Sequence, residues 1–146
     1  MKIPHLLTAL ALTLAPALAG PGHGATPTGP NGGRLLTTMK PAVEFLVLPD
    51  RRVRLTFVDG AVVSPGDRIA TVTTGERSAP VRLTFQAEGE SLVSENPLPD
   101  GKAFPVILQI QSLPGEKPAL AKFQLDLSIC GGCKKPEYVC SCEHTH

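Results

Sequence analysis

The chain has no tryptophan and one tyrosine, and it carries no histidine between His23 and His144. The histidine gap excludes a Ser-His-Asp triad in the middle of the chain, because that chemistry needs an imidazole base within hydrogen-bond reach of the nucleophile. No excess of one charge is present either: 14 Lys and Arg face 13 Asp and Glu. A balanced chain lacks the cationic footprint that nucleic acid or an anionic membrane surface would require, so neither is expected as a partner. Gly32-Gly33-Arg34 is followed by no Gly-Lys-Ser/Thr and is not a phosphate loop. Met39 is the sole methionine beyond Met1, which excludes a methionine-rich copper site. No stretch of 3.6-residue periodicity is long enough for a helix, and the 15 prolines and 14 glycines are spread so evenly that long helices are disfavoured.

One apolar run stands out, Leu6 to Leu18, interrupted only by Thr8, Thr13 and Pro16. It is too short to span a bilayer, and no second run follows, so no membrane span is expected. Lys2 ahead of it and the small residues Ala17 and Ala19 behind it make residues 1–19 a secretory signal peptide, cleaved after Ala19. The expected location is periplasmic or secreted. The mature chain would begin at Gly20.

From there the chain changes character twice. Residues 20–34, Gly/Pro-rich and without apolar residues to bury, read as a flexible leader. Residues 35–129 alternate with period two. Val43 and Phe45 flank Glu44. Val53, Leu55 and Phe57 alternate with Arg54 and Thr56, and Val81, Leu83 and Phe85 with Arg82 and Thr84. Val106, Leu108 and Ile110 alternate with Ile107 and Gln109, and Phe123, Leu125 and Leu127 with Gln124 and Asp126. Ile69 and Val72 mark a further run. Turn signals such as Asp59-Gly60, Pro65-Gly66, Glu88-Gly89 and Pro114-Gly115 punctuate the runs. Strands are predicted near 42–48, 52–58, 68–73, 80–86, 91–94, 104–111 and 120–127, the first two joined as a hairpin. The fold class is all-β: a single β-sandwich of about seven antiparallel strands, with a small β-barrel as the alternative closure. Glu44, Asp59, Asp67 and Glu76 read as solvated edge or turn residues. Arg51, Arg52 and Arg54 read as a turn and an outward face.

Residues 130–146 form a Cys/His-rich tail, CGGCKKPEYVCSCEHTH, that holds all four cysteines of the protein. Cys130 and Cys133 make a C-x-x-C pair, Cys140 and Cys142 a C-x-C pair, and His144 and His146 continue the two-residue spacing. Glycines between the first two thiols let backbone amides approach the sulfurs. Thiolates from both pairs could close a tetrahedral site, with His144 or His146 able to replace one of them. Such donors suit Zn(II) or Cu(I). The same residues allow two other readings. An even cysteine count in an exported chain fits structural disulfides. Cys-Gly-Gly-Cys also has the spacing of a thiol-exchange pair, though no βαβ pattern surrounds it. A core of this size can fold without disulfides, so the tail is expected to be separable from the β domain.

The stretch His23-Gly24, Gly29-Pro30-Asn31-Gly32-Gly33-Arg34-Leu35, Val43-Glu44-Phe45 and Val53-Arg54-Leu55-Thr56-Phe57 resembles the N-terminal metal-related region of periplasmic adaptor (membrane fusion) subunits of heavy-metal efflux pumps. Asn31 stands where such regions carry a second histidine. The resemblance covers roughly residues 23–57 and implies a periplasmic setting, heavy-metal handling and a metal-efflux component as a partner. The sequence as a whole predicts a periplasmic zinc- or copper-binding protein linked to metal efflux or homeostasis, and not an enzyme. Its alternative is an exported interaction module whose tail is stapled by disulfides.

Overall fold

The computed structural model describes residues 26–142; the expected signal peptide, the expected leader up to residue 25 with His23, and His144 and His146 lie outside the described residues. Among the described residues nine strands form: β1 (Arg34–Leu36), β2 (Ala42–Val47), β3 (Val53–Asp59), β4 (Ala61–Val63), β5 (Ile69–Glu76), β6 (Ala79–Glu88), β7 (Ser91–Ser94), β8 (Ala103–Gln111) and β9 (Ala119–Asp126). One 3-10 turn, Glu137–Val139, follows. The all-β expectation holds. The two strands beyond the expected seven are β1 and β4, each 3 residues long and so too short to show alternation.

All neighbours pair antiparallel, in the order β1-β2-β3-β7-β6-β5-β8-β9, with β4 paired to β3 off that path. The long strand β6 is the corner. Its first half pairs with β5 (Leu83 opposite Val72) and its second half with β7 (Gln86 opposite Val93). Two faces therefore pack against each other as in a sandwich, yet they belong to one continuous sheet coiled into a nearly closed barrel. The β2–β3 hairpin forms as expected, with Val47 opposite Val53.

Period-two sides face inward as read: Val43, Phe45, Val53, Leu55, Phe57, Leu83, Val106, Leu108, Ile110 and Leu125 are buried in one core. Ile69 lies on the other face. It is 52% exposed, whereas Ala70, Val72 and Thr74 face in. Ile69 and Val72 have opposite parity along the strand and cannot share a face.

The tail packs on the core. Tyr138 and Val139 are buried within the same hydrophobic cluster. The Tyr138 hydroxyl accepts the Val47 amide at 3.0 Å.

The barrel keeps one seam, between its terminal strands. The Phe123 ring on β9 meets Phe45 on β2 edge-on at 5.1 Å, and the Arg34 guanidinium on β1 lies 4.8 Å from its centroid. These contacts cross the seam with side chains where no strand pairing does.

Candidate metal centre

The centre is built by the chain that leaves β9. Leu127 donates its amide to Lys102 O at 2.7 Å, and Ser128 donates to Asp126 Oδ1 at 2.8 Å. Ile129 then forms an antiparallel bridge with Pro136, so the chain folds back on itself. Cys130 N donates to Lys135 O at 2.8 Å and Lys134 N to Cys130 O at 3.1 Å, which closes the C-x-x-C turn. Lys134 takes the left-handed region at φ 61, and its ammonium donates to Gly131 O at 2.8 Å. On the return, Glu137 N donates to Ser128 O at 2.9 Å and Cys140 N to Glu137 O at 3.1 Å. The short turn between these bonds brings the C-x-C pair beside the C-x-x-C pair.

All four sulfurs consequently converge. Cys140 Sγ lies 3.3 Å from Cys130 Sγ and 3.4 Å from Cys133 Sγ, and the sulfurs of Cys130, Cys133, Cys140 and Cys142 all lie within 4.8 Å of one another. A tetrahedron with metal–sulfur bonds of about 2.3 Å has edges of about 3.8 Å, inside this range. A disulfide needs about 2.05 Å, and none of these pairs approaches it. Cys130 and Cys140 are buried, while Cys133 and Cys142 are half-buried. The donor set is all-sulfur and could hold a metal ion. His144 and His146 lie outside the described residues, the first of them two positions past Cys142.

Backbone amides are aimed at the sulfurs, which favours thiolates over thiols. The Cys133 amide draws the Cys130 thiol below its ordinary value, helped by Cys140 and by the Gly132 amide. The Lys135 amide and the Cys140 thiol bring Cys133 down to about 7. The Cys142 amide, 3.3 Å from Cys140 Sγ, pulls Cys140 the same way. Burial and the neighbouring thiols outweigh it and push Cys140 up to about 12. Cys142 is also raised: the Cys140 thiol favours its charged form, but Cys133 and burial prevail. Four sulfurs this close cannot all ionise without a cation among them, so in its absence some keep their protons.

Gly132 belongs to the site for steric reasons. A Cβ there would stand 3.2 Å from Cys142 Sγ and 3.8 Å from Cys130 Sγ, whereas one on Gly131 would meet nothing within 4 Å.

Several polar residues elsewhere have structural partners. Glu44, expected to be solvated, is fully buried. It lies on the outer face of β2, but the Gly29–Gly33 turn covers it. Asn31 N and Gly33 N each donate to Glu44 Oε1 at 2.8 Å, and Asn31 Nδ2 donates to Oε2 at 2.7 Å. The glycine-rich Gly29–Gly33 turn thus cages the Glu44 carboxyl group. Arg51 ties the β2–β3 turn to the Pro99 and Gly101 carbonyls. Arg52 pairs with Asp50 at 2.7 Å and with Glu88 at 3.3 Å, in the open. A concavity of about 600 Å³ has Val81 and Phe104 in its lining, with Glu76, Arg77 and Asp100 beside them.

No protein-family model, curated protein or solved structure matches this chain. Its function must be argued from the four-sulfur site itself. The sequence named all four of those cysteines. It did not show that Tyr138 and Val139, between the two pairs, anchor the site in the core. The signal for that was the lone apolar pair in an otherwise polar loop. No helix among the described residues is long and apolar enough to cross a membrane.

Proposed function

We propose that this chain is an exported metal-binding protein that holds a zinc ion in a four-thiolate centre of Cys130, Cys133, Cys140 and Cys142. The observation that carries this reading is the convergence of four sulfurs within 4.8 Å. Tetrahedral sulfur sites select zinc among common divalent ions, with Cu(I) as the soft competitor. Four protein ligands leave no position for water or substrate, so the centre retains its metal and does not catalyse. In an oxidising compartment the metal also keeps the thiols from disulfide formation. The signal-like residues 1–19 support export. The likeness of residues 23–57 to efflux adaptors supports a role in heavy-metal homeostasis.

The test is titration of the reduced full-length protein with Zn(II) and with Cu(I). Beside it stand Cys130→Ser/Cys133→Ser, Cys140→Ser/Cys142→Ser and His144→Ala/His146→Ala double variants. The wild type should bind one zinc, both cysteine variants should lose most of the affinity, and the histidine variant should keep it. Failure of the reduced wild type to bind either ion, with two disulfides in native material, would instead make the tail a staple.

A further inference from the structure

The strand order begins at β1 and ends at β9, and none of the strand pairings joins the two. Open strand edges invite fraying and association, so whatever spans this seam matters to the whole barrel. Near β1 the seam is loosely filled. A cleft of about 280 Å³ lies there, with Pro27, Arg34 and Leu36 on one side and Ala121 and Phe123 on the other. The last β1–β2 pair is Arg34 with Phe45. Two residues further along, the β2 edge is covered by Tyr138, which accepts the Val47 amide at 3.0 Å. The turn bearing Tyr138 packs on β9, and Tyr138 is 4% exposed. The tail therefore bridges both sides of the seam, its turn lying on β9 and its Tyr138 hydroxyl reaching β2.

Tyr138 stands between Cys133 and Cys140, whose sulfurs are 3.4 Å apart. A metal bound by both would close a short loop around Tyr138 and remove most of that loop's freedom. We propose that the metal centre latches the barrel seam, with Tyr138 the positioning residue that carries the closure from the four sulfurs to β2 and β9. This rests on the four-thiolate reading of the site and adds a consequence to it. Loss of the metal releases Tyr138, leaves the Val47 amide without its acceptor and frees the β9 edge. The β5–β6–β8 side of the barrel, held by continuous strand pairing, stays closed.

Amide hydrogen exchange by NMR on the reduced full-length protein tests this, with zinc uptake measured on the same samples. Stripping zinc with a chelator should speed exchange at Val47 roughly tenfold, with the β9 amides following, and leave Val72 and Leu83 protected. Zinc-loaded Tyr138→Phe should bind one zinc as tightly as wild type yet show faster exchange at Val47. If zinc binds but Val47 exchanges equally with and without it, the latch is wrong and the metal site stands. If stripping speeds Val72 and Leu83 as much as Val47, the metal stabilises the whole fold and the latch is again wrong. If the reduced wild type takes up no zinc, the metal reading falls and the latch with it.

Discussion

Removing the Glu44 carboxylate should destabilise the fold far more than its place on the outer face of a strand suggests. The side chain is fully buried and accepts three hydrogen bonds, two from the backbone amides of Asn31 and Gly33 and one from the Asn31 side chain. The turn packs directly against the side chain. A Cβ on Gly29 would fall 2.5 Å from the Glu44 side chain, and one on Gly33 would fall 2.6 Å from Phe45 O. Glu44→Ala orphans two backbone donors, at about 1–3 kcal/mol each, for an expected loss of about 4 kcal/mol. Glu44→Gln is subtler. Its oxygen can keep both backbone amides, but its Nε2 would face Asn31 Nδ2 donor to donor, at a cost of about 2 kcal/mol. Asn31→Asp alone sets two carboxylates against each other and should be worse. Glu44→Gln with Asn31→Asp turns the donor round and should recover about half of that loss. Guanidinium unfolding of the four variants in one metal state gives the numbers. Losses below about 0.5 kcal/mol for Glu44→Ala, or a swap no better than Asn31→Asp alone, would refute the cage.

The remaining predictions concern the tail. Gly132→Ala should weaken zinc affinity about tenfold in chelator competition, since its Cβ would crowd Cys142 Sγ at 3.2 Å, while Gly131→Ala should bind as wild type. Truncation after Ser128 removes the buried Tyr138 and Val139 and should lower stability in denaturant by about 4 kcal/mol, not leave the barrel unaffected. Zinc affinity should fall as pH drops, because binding displaces thiol protons. The fall should steepen by one proton below about pH 7, where Cys133 becomes protonated as well. A slope unchanged across that pH would exclude Cys133 as a ligand.

The strands were legible because their alternation is regular. Val53, Leu55 and Phe57 on β3 and Val106, Leu108 and Ile110 on β8 bury every second side chain, and pattern alone places them. Closure was less legible. Whether two faces form a sandwich or a barrel depends on β6 turning the corner between Thr84 and Phe85, and no residue there announces it. Glu44 misled for a related reason. Its parity put it outside correctly, but parity cannot tell that a turn 11 residues upstream folds over it. The glycines and Asn31 in that turn were the available clue. The cysteines were legible as a cluster because thiols have few reasons to gather at one end of a chain. Their attachment to the core was not, since a two-residue apolar anchor at Tyr138 and Val139 has no period to detect.

The four-thiolate centre is tested most directly by X-ray absorption at the zinc edge on the loaded full-length protein. Four sulfur atoms at about 2.3 Å, with no nitrogen or oxygen in the inner coordination sphere, are expected. Two or more nitrogen scatterers at about 2.0 Å, which would put His144 and His146 in place of two thiolates, would contradict it.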